Sequence, residues 1–212
     1  MVGKIKREHW HKDRLDKIIV VDAEHRVLNV VAFYDLWQSS DTRFKHIGVV
    51  GLGYVGLTLA LALADAGFQV KGYDANEGVA KTLRRGKPHF FEEGLNRLLH
   101  DHLGKRFNVV DDFSHNNQSD MYIIAVGTPI NPRGKPDLRF LKNAAEHIGS
   151  VLKRGDSVML RSTIPIGMTR ELVIPALEKH SKLTAGDDFF VAFAPERTVQ
   201  GKAIEELRKL PQ

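Results

Sequence analysis

The 212-residue chain contains no cysteine. That absence removes disulfides, thiolate metal sites and every mechanism that needs a sulfur nucleophile. Nor is there an apolar run approaching the roughly 20 residues of a membrane-spanning helix, and the opening "MVGKIKREHWHKDR" has neither the apolar stretch nor the small-residue cleavage site of a secretory signal. A cytoplasmic protein with no membrane partner is expected. The ten histidines include no H-E-x-x-H pair, and His9 and His11 lie near a terminus, so no metal site is expected. The 31 basic residues against 26 acidic ones give a formal charge of +5. They are scattered, without a basic stripe interleaved with aromatics, and no nucleic-acid partner is expected. A modest positive balance suits a small anionic ligand equally well.

With 42% apolar and 27% charged residues the composition is that of an ordinary folded domain. Two segments of different character meet near residue 45. In "DKIIVVDAEHRVLNVVAFYDLW" the spacing predicts a strand over 18–21, a turn over 22–25, a second strand over 27–33 and a short helix over 34–37. This hairpin resembles the second half of a cystathionine-beta-synthase-type (CBS) motif, and a fusion scar or N-terminal extension reads it equally well. "QSSDTRFKH" is the linker. From residue 46 strands (47–51, 68–73, 107–110, 121–126, 157–161, 189–194) alternate with helices (54–66, 76–85, 138–152, 167–179). Strands such as "MYIIAV" and "FFVAFA" are apolar throughout, as when helices cover both sheet faces. The expected fold is α/β, a doubly wound parallel sheet of Rossmann type over 46–212, with 1–45 as an extension.

In "IGVVGLGYVGLTLALALADAGFQVKGYD" three glycines, Gly51, Gly53 and Gly56, are spaced G-x-G-x-x-G between a strand and a helix. An acid, Asp74, closes the next strand near the spacing of a dinucleotide fingerprint. Gly51 permits the sharp turn, Gly53 lets the main chain approach a diphosphate, and Gly56 lets helix and strand pack closely. The diphosphate would meet free N–H groups at the helix start. Asp74 would accept from a ribose diol and repel a 2′-phosphate, which makes NAD the expected cofactor rather than NADP. Asn76 reads as a helix N-cap, and an acid beside a cap is common, so Asp74 has that structural reading too.

Three more loops follow strands: "VGTPINPRGKPD", "RSTIPIGMT" and "APERTVQGKA". With the glycine loop, "GYD" and "GKPHFFEEGL", they resemble the UDP-glucose/GDP-mannose dehydrogenase family, in the Pro-Glu-Arg form of its UDP-N-acetylhexosamine members. Such enzymes oxidise the C6 alcohol of a nucleotide sugar to a carboxylate in two NAD-dependent steps. The resemblance implies that Gly51, Tyr54, Val55 and Asp74 contact NAD, and that Gly127, Thr128 and Pro129 line its nicotinamide side. Thr163 would hold the nicotinamide region or a catalytic water, Glu196 would stand near the reacting carbon, and Arg197 and Thr198 would face the sugar. A carboxylate beside a water can act as general base. Structural readings stand beside these: Pro129 and Pro165 end strands, Thr163 caps a helix, and Arg197 pairs with Glu196.

Where the family often has Y-E-P-G-L this chain has "FFEEGL", so Glu92 matches and Glu93 replaces a proline. In the family a later cysteine attacks the intermediate aldehyde, assisted by a lysine and an asparagine. By that resemblance the chain is expected to be an incomplete enzyme, inactive alone, whose full-length form is a homodimer acting on a UDP-sugar. Two other readings remain. One is a non-catalytic NAD-binding regulatory module, favoured by the missing cysteine and the odd N-terminus. The other is a beta-hydroxyacid dehydrogenase, whose loop also reads G-L-G-x-x-G but which has no need of the Pro-Glu-Arg segment.

Overall fold

The computed structural model describes residues 17–21, 27–32, 45–114, 118–132 and 134–209. Strands β1 (Lys17–Val21) and β2 (Val27–Ala32) pair antiparallel as a separate two-stranded sheet. The predicted turn over 22–25 and helix over 34–37 lie outside the described residues.

The rest alternates strand and helix. β3 (His46–Val50) leads into α1 (Tyr54–Asp65), β4 (Gln69–Tyr73), α2 (Glu77–Arg84), α3 (Leu95–His102) and β5 (Phe107–Val109). Then come β6 (Met121–Ile124), α4 (Arg139–Gly149), β7 (Ser157–Leu160), a wide π turn (Thr169–Val173) running into α5 (Ile174–Ser181), β8 (Phe190–Phe193) and α6 (Ala203–Lys209). The six strands form one sheet in the order β5-β4-β3-β6-β7-β8, every pair parallel. This is the doubly wound order, with chain reversal between β3 and β6.

Side chains alternate across the sheet and so feed two cores. Ile47, Val49, Ile123 and Met159 face α1, α3 and α6, whereas Val50, Tyr122, Ile124, Val158 and Leu160 face α4 and α5. Helix α1 is buried continuously from Gly56 to Ala64 because it lies against β4 and is covered by α3 and α6. A helix apolar on all sides needs such cover.

All the sheet strands except β4 end one or two residues earlier than expected, and α4 stops at Gly149 rather than 152. Helices α3 and α6 lay outside the predicted set. Leu95, Leu98 and Leu99 carry the i, i+3, i+4 spacing of α3 and are buried, but the stretch is only 8 residues long and follows Gly94 at φ +79. The helix predicted over 167–179 begins at Thr169 as a π turn. Pro175, which has no N–H to give, falls where the π turn joins α5.

At the amino ends of the strands, away from the glycine loop, burial raises the Asp156 carboxyl to about 6, despite the Lys153 N–H it accepts at 2.8 Å. Asp120 nearby adds to the rise. A raised carboxyl binds its proton more tightly folded than unfolded. Its stabilising protonated form is therefore fully present below about pH 4, and stability falls as the pH climbs to about 6. Asp156→Asn keeps an acceptor for Lys153 without the charge. It is expected to gain on the order of 2 kcal/mol over the parent at pH 7.5 and nothing at pH 4 in urea unfolding; a gap independent of pH would contradict this.

Candidate coenzyme-binding site

Between Val50 and Tyr54 the chain turns through the glycine loop. Gly51 sits at φ +91, and a Cβ there would come 2.8 Å from the Ala125 carbonyl oxygen. At Gly56 a Cβ would lie 1.7 Å from the Gly51 oxygen, inside its van der Waals envelope. The protein's own packing demands both glycines. Gly53 is different: a Cβ there meets nothing within 4 Å. The open space over Gly53 is the cradle a diphosphate would enter. Gly53 is also the N-cap of α1, which has no side-chain cap and no acid in its first turn. Its first N–H groups are thus left for an outside anion. These features fit NAD.

Asp74 follows β4. One carboxylate oxygen accepts from Leu52 N at 2.7 Å and the other from Asn76 N at 2.8 Å, so Asp74 braces the glycine loop from below. Each oxygen keeps acceptor capacity for a ribose diol. The helix cap is Asn76, which accepts from Gly78 N at 2.9 Å, and Asp74 is not needed for it.

A cavity of about 810 Å³ opens here, at the carboxyl ends of β3 to β6 where the strand order reverses. Ligands bind at that place in open α/β sheets. Among the residues expected from sequence, Gly51, Gly53, Asp74, Gly127 and Pro129 line it. Tyr54, Val55 and Gly56 belong to the loop and helix start without lining the cavity. Sequence reasoning missed one wall, formed by Phe140, Asn143, Ala144 and His147 of α4. Their i, i+3, i+4, i+7 spacing was a usable signal. His147 meets the Tyr73 ring edge-on at 4.6 Å. Burial lowers its proton affinity against the pull of Asp112, which keeps the imidazole neutral near pH 7.

The Tyr54 side chain turns the other way. Its hydroxyl donates to Glu92 at 2.6 Å, and burial together with that bond pushes its pKa up to about 12. Glu92 is buried under the helix start and does not line the cavity.

The remaining candidates follow β6, β7 and β8 along the same sheet edge. Thr128 Oγ1 donates to the Thr163 carbonyl at 2.7 Å, joining two of the loops. The Thr163 side chain is exposed, and the π turn's N-cap is Met168, so Thr163 caps no helix there. Glu196 forms an ion pair with Arg161, the side chains 7% and 2% exposed. Its other oxygen accepts from Arg197 N at 2.7 Å and Thr198 N at 2.9 Å. Burial pushes the Glu196 carboxyl up, but the Arg161 charge and these bonds outweigh it and hold the group below its ordinary range. Glu196 is thus a fixed anion with both oxygens engaged. The arginine facing it is Arg161, while Arg197 is exposed. Arg161 was missed although a charge placed directly on the apolar strand "SVML" must find a partner. Thr128, Thr163, Glu196, Arg197 and Thr198 do not line the cavity that holds Asp74.

Among the described residues no cluster of histidine, aspartate and glutamate is arranged to hold a metal, and no helix is long and apolar enough to cross a membrane.

The model of the UDP-glucose/GDP-mannose dehydrogenase family, NAD binding domain, matches residues 45–212. A UDP-N-acetyl-D-mannosamine dehydrogenase of Pyrococcus horikoshii is 39% identical over 163 residues, 76% of this chain and 38% of the relative. A UDP-N-acetyl-D-glucosamine 6-dehydrogenase of Pseudomonas aeruginosa is 40% identical over 156 residues, 73% of this chain and 36% of the relative. Among solved structures, a UDP-D-ManNAc dehydrogenase from Pyrococcus horikoshii matches with a TM-score of 0.72 at 37% identity, covering 76% of this chain and 38% of that one. The chain therefore spans less than two fifths of the length of these relatives.

Proposed function

Because the chain belongs to the UDP-glucose/GDP-mannose dehydrogenase family as its NAD-binding domain, we propose that it serves a 6-dehydrogenase that oxidises the C6 alcohol of a UDP-N-acetylhexosamine to the carboxylate. The mannosamine sugar is the favoured substrate, in keeping with the names of several relatives. The observation that carries the reading is the open space at Gly53 in the same cavity as Asp74, whose carboxylate holds the neighbouring Leu52 N–H: a diphosphate cradle and a diol acceptor together.

Gly51, Gly53 and the first turn of α1 would hold the diphosphate, and Asp74 the adenosine ribose. Bound there, the oxidised nicotinamide supplies the acceptor for the hydride leaving C6. The residues of this chain bind and orient. Thr128 fixes the Thr163 loop, and Arg161 keeps Glu196 anionic. Thr163 and Glu196 are the residues we assign beside the reacting carbon, with Arg197 and Thr198 toward the sugar. To act as a base, Glu196 would meet a water through Oε2, which accepts from Arg161 and keeps acceptor capacity.

The engagement of both Glu196 oxygens favours a second reading, a non-catalytic NAD-binding module. Calorimetry tests what the two share. Asp74→Ala is expected to weaken NAD binding about 10-fold or more, the effect of losing a charged acceptor, and to narrow the preference over NADP. Equal binding by parent and variant would remove the ribose assignment. NADH formation with UDP-N-acetylmannosamine by the full-length enzyme that carries this domain, absent in its Glu196→Ala variant, separates the enzyme from the module.

A further inference from the structure

Glu92 is 3% exposed, and the two donors that meet it are both neutral. One of its oxygens receives the Tyr54 hydroxyl at 2.6 Å and the Gly201 N–H at 2.7 Å, with that N–H also 3.0 Å from the tyrosine oxygen. The other oxygen is buried without a partner. Burying a polar oxygen without a partner is costly, and a backbone carbonyl would accept the same two bonds without that cost. The side chain stands at a junction of three segments. Tyr54 opens α1, whose first turn faces the diphosphate cradle. Glu92 comes from the turn that leads into α3. Gly201 lies five residues beyond Glu196 on the strap that enters α6.

That strap is short. Five extended residues span at most about 18 Å, its far end is anchored by the buried Ala203, Ile204 and Leu207, and Val199 N is held by Glu206 at 2.7 Å. Where Gly201 is pinned therefore limits how far the segment carrying Arg197 and Thr198 can move. We propose that Glu92 is a positioning residue that couples the coenzyme loop to the strap carrying Glu196, Arg197 and Thr198. A diphosphate arriving at the first turn of α1 orders Tyr54, and Tyr54 and Gly201 share one carboxylate oxygen, so coenzyme binding sets the strap. The functional weight of the strap rests on the reading given above. The coupling rests on its coenzyme part alone.

Backbone hydrogen exchange on the full chain, with and without NAD, tests the coupling. In the parent, NAD is expected to slow exchange at Gly201 and its neighbours about tenfold. In Glu92→Ala the Gly201 amide should exchange about tenfold faster without NAD, the effect of losing the shorter of its two hydrogen bonds, and NAD should no longer slow it. Glu92→Gln, whose amide oxygen accepts from the same donors, should restore both measurements to within about threefold. Tyr54→Phe removes only the hydroxyl, so it should leave coenzyme-free exchange at Gly201 near the parent's while cutting the slowing by NAD. It carries the test alone if Glu92→Ala does not fold. The proposal is overturned if Gly201 is as protected in Glu92→Ala as in the parent, or if NAD slows the strap equally in Tyr54→Phe. If NAD fails to bind the parent, the coenzyme reading and this coupling both fail, whereas binding without slowing sinks the coupling alone.

Discussion

Replacing Arg161 with methionine is expected to destabilise the chain by about 3–5 kcal/mol near neutral pH, the cost of leaving one member of a buried pair without the other. Arg161 is 2% exposed and faces a Glu196 side chain exposed by only 7%. With the guanidinium gone, two amide donors remain to hold an anion whose burial already pushes its carboxyl up. The pH dependence gives the cause away. In the parent the Glu196 carboxyl lies below its unfolded value, so it contributes stability that is present above about pH 4 and is lost as the pH falls through the folded value. In the variant that contribution is gone and the carboxyl's proton affinity rises. The gap between parent and variant should therefore be widest near pH 7 and narrow as the pH falls toward 4 in urea unfolding. Adding Glu196→Gln to Arg161→Met should recover most of the loss, because no buried charge then remains. A gap that stays constant with pH, or a double variant no better than the single one, would mean that the pair does not govern stability here.

The pairing of Arg161 with Glu196 also marks how far the sequence could be read. The loop glycines, Asp74 and the succession of strands along the chain follow from local signals: a fixed spacing, an acid at a strand end, apolar runs of strand length. Those signals act within about 25 residues, and they suffice for the parallel sheet and the mouth of the coenzyme cavity. Arg161 and Glu196 stand 35 positions apart and meet only because β7 and β8 are neighbours in the sheet. Glu92 and Gly201 are 109 apart, and nothing in either local stretch announces the contact. Tyr54 was legible as a loop residue and illegible as a donor to Glu92. Helix α3 was legible in its leucines, but the motif carrying Glu92 ran directly into it and masked the period. His147 had the correct helical face, yet a face says which residues share a wall and not what the wall encloses.

The second and third glycines of the loop should separate folding from binding. Gly56→Ala places a methyl 1.7 Å from the Gly51 oxygen and 3.2 Å from the Ala125 Cβ. Neither neighbour is a flexible side-chain tip, so α1 must move away from the loop or the turn must open. Either movement breaks the packing of the most completely buried helix in the sheet layer. A loss of about 3 kcal/mol or more is expected, at or beyond the top of the usual cost of overpacking, together with loss of measurable NAD binding. Gly53→Ala has the opposite character. Its backbone, at φ −67 and ψ −164, is open to any residue, and the new methyl touches nothing in the protein. Stability should fall by under about 1 kcal/mol, the disadvantage of alanine at an N-cap. NAD affinity should nonetheless fall about tenfold or more, because the methyl stands where the diphosphate must come closest to the main chain. Thermal melts and calorimetry on the two variants decide the matter. If Gly53→Ala binds NAD as tightly as the parent, the cradle over Gly53 is not where the diphosphate lies, however well the loop folds.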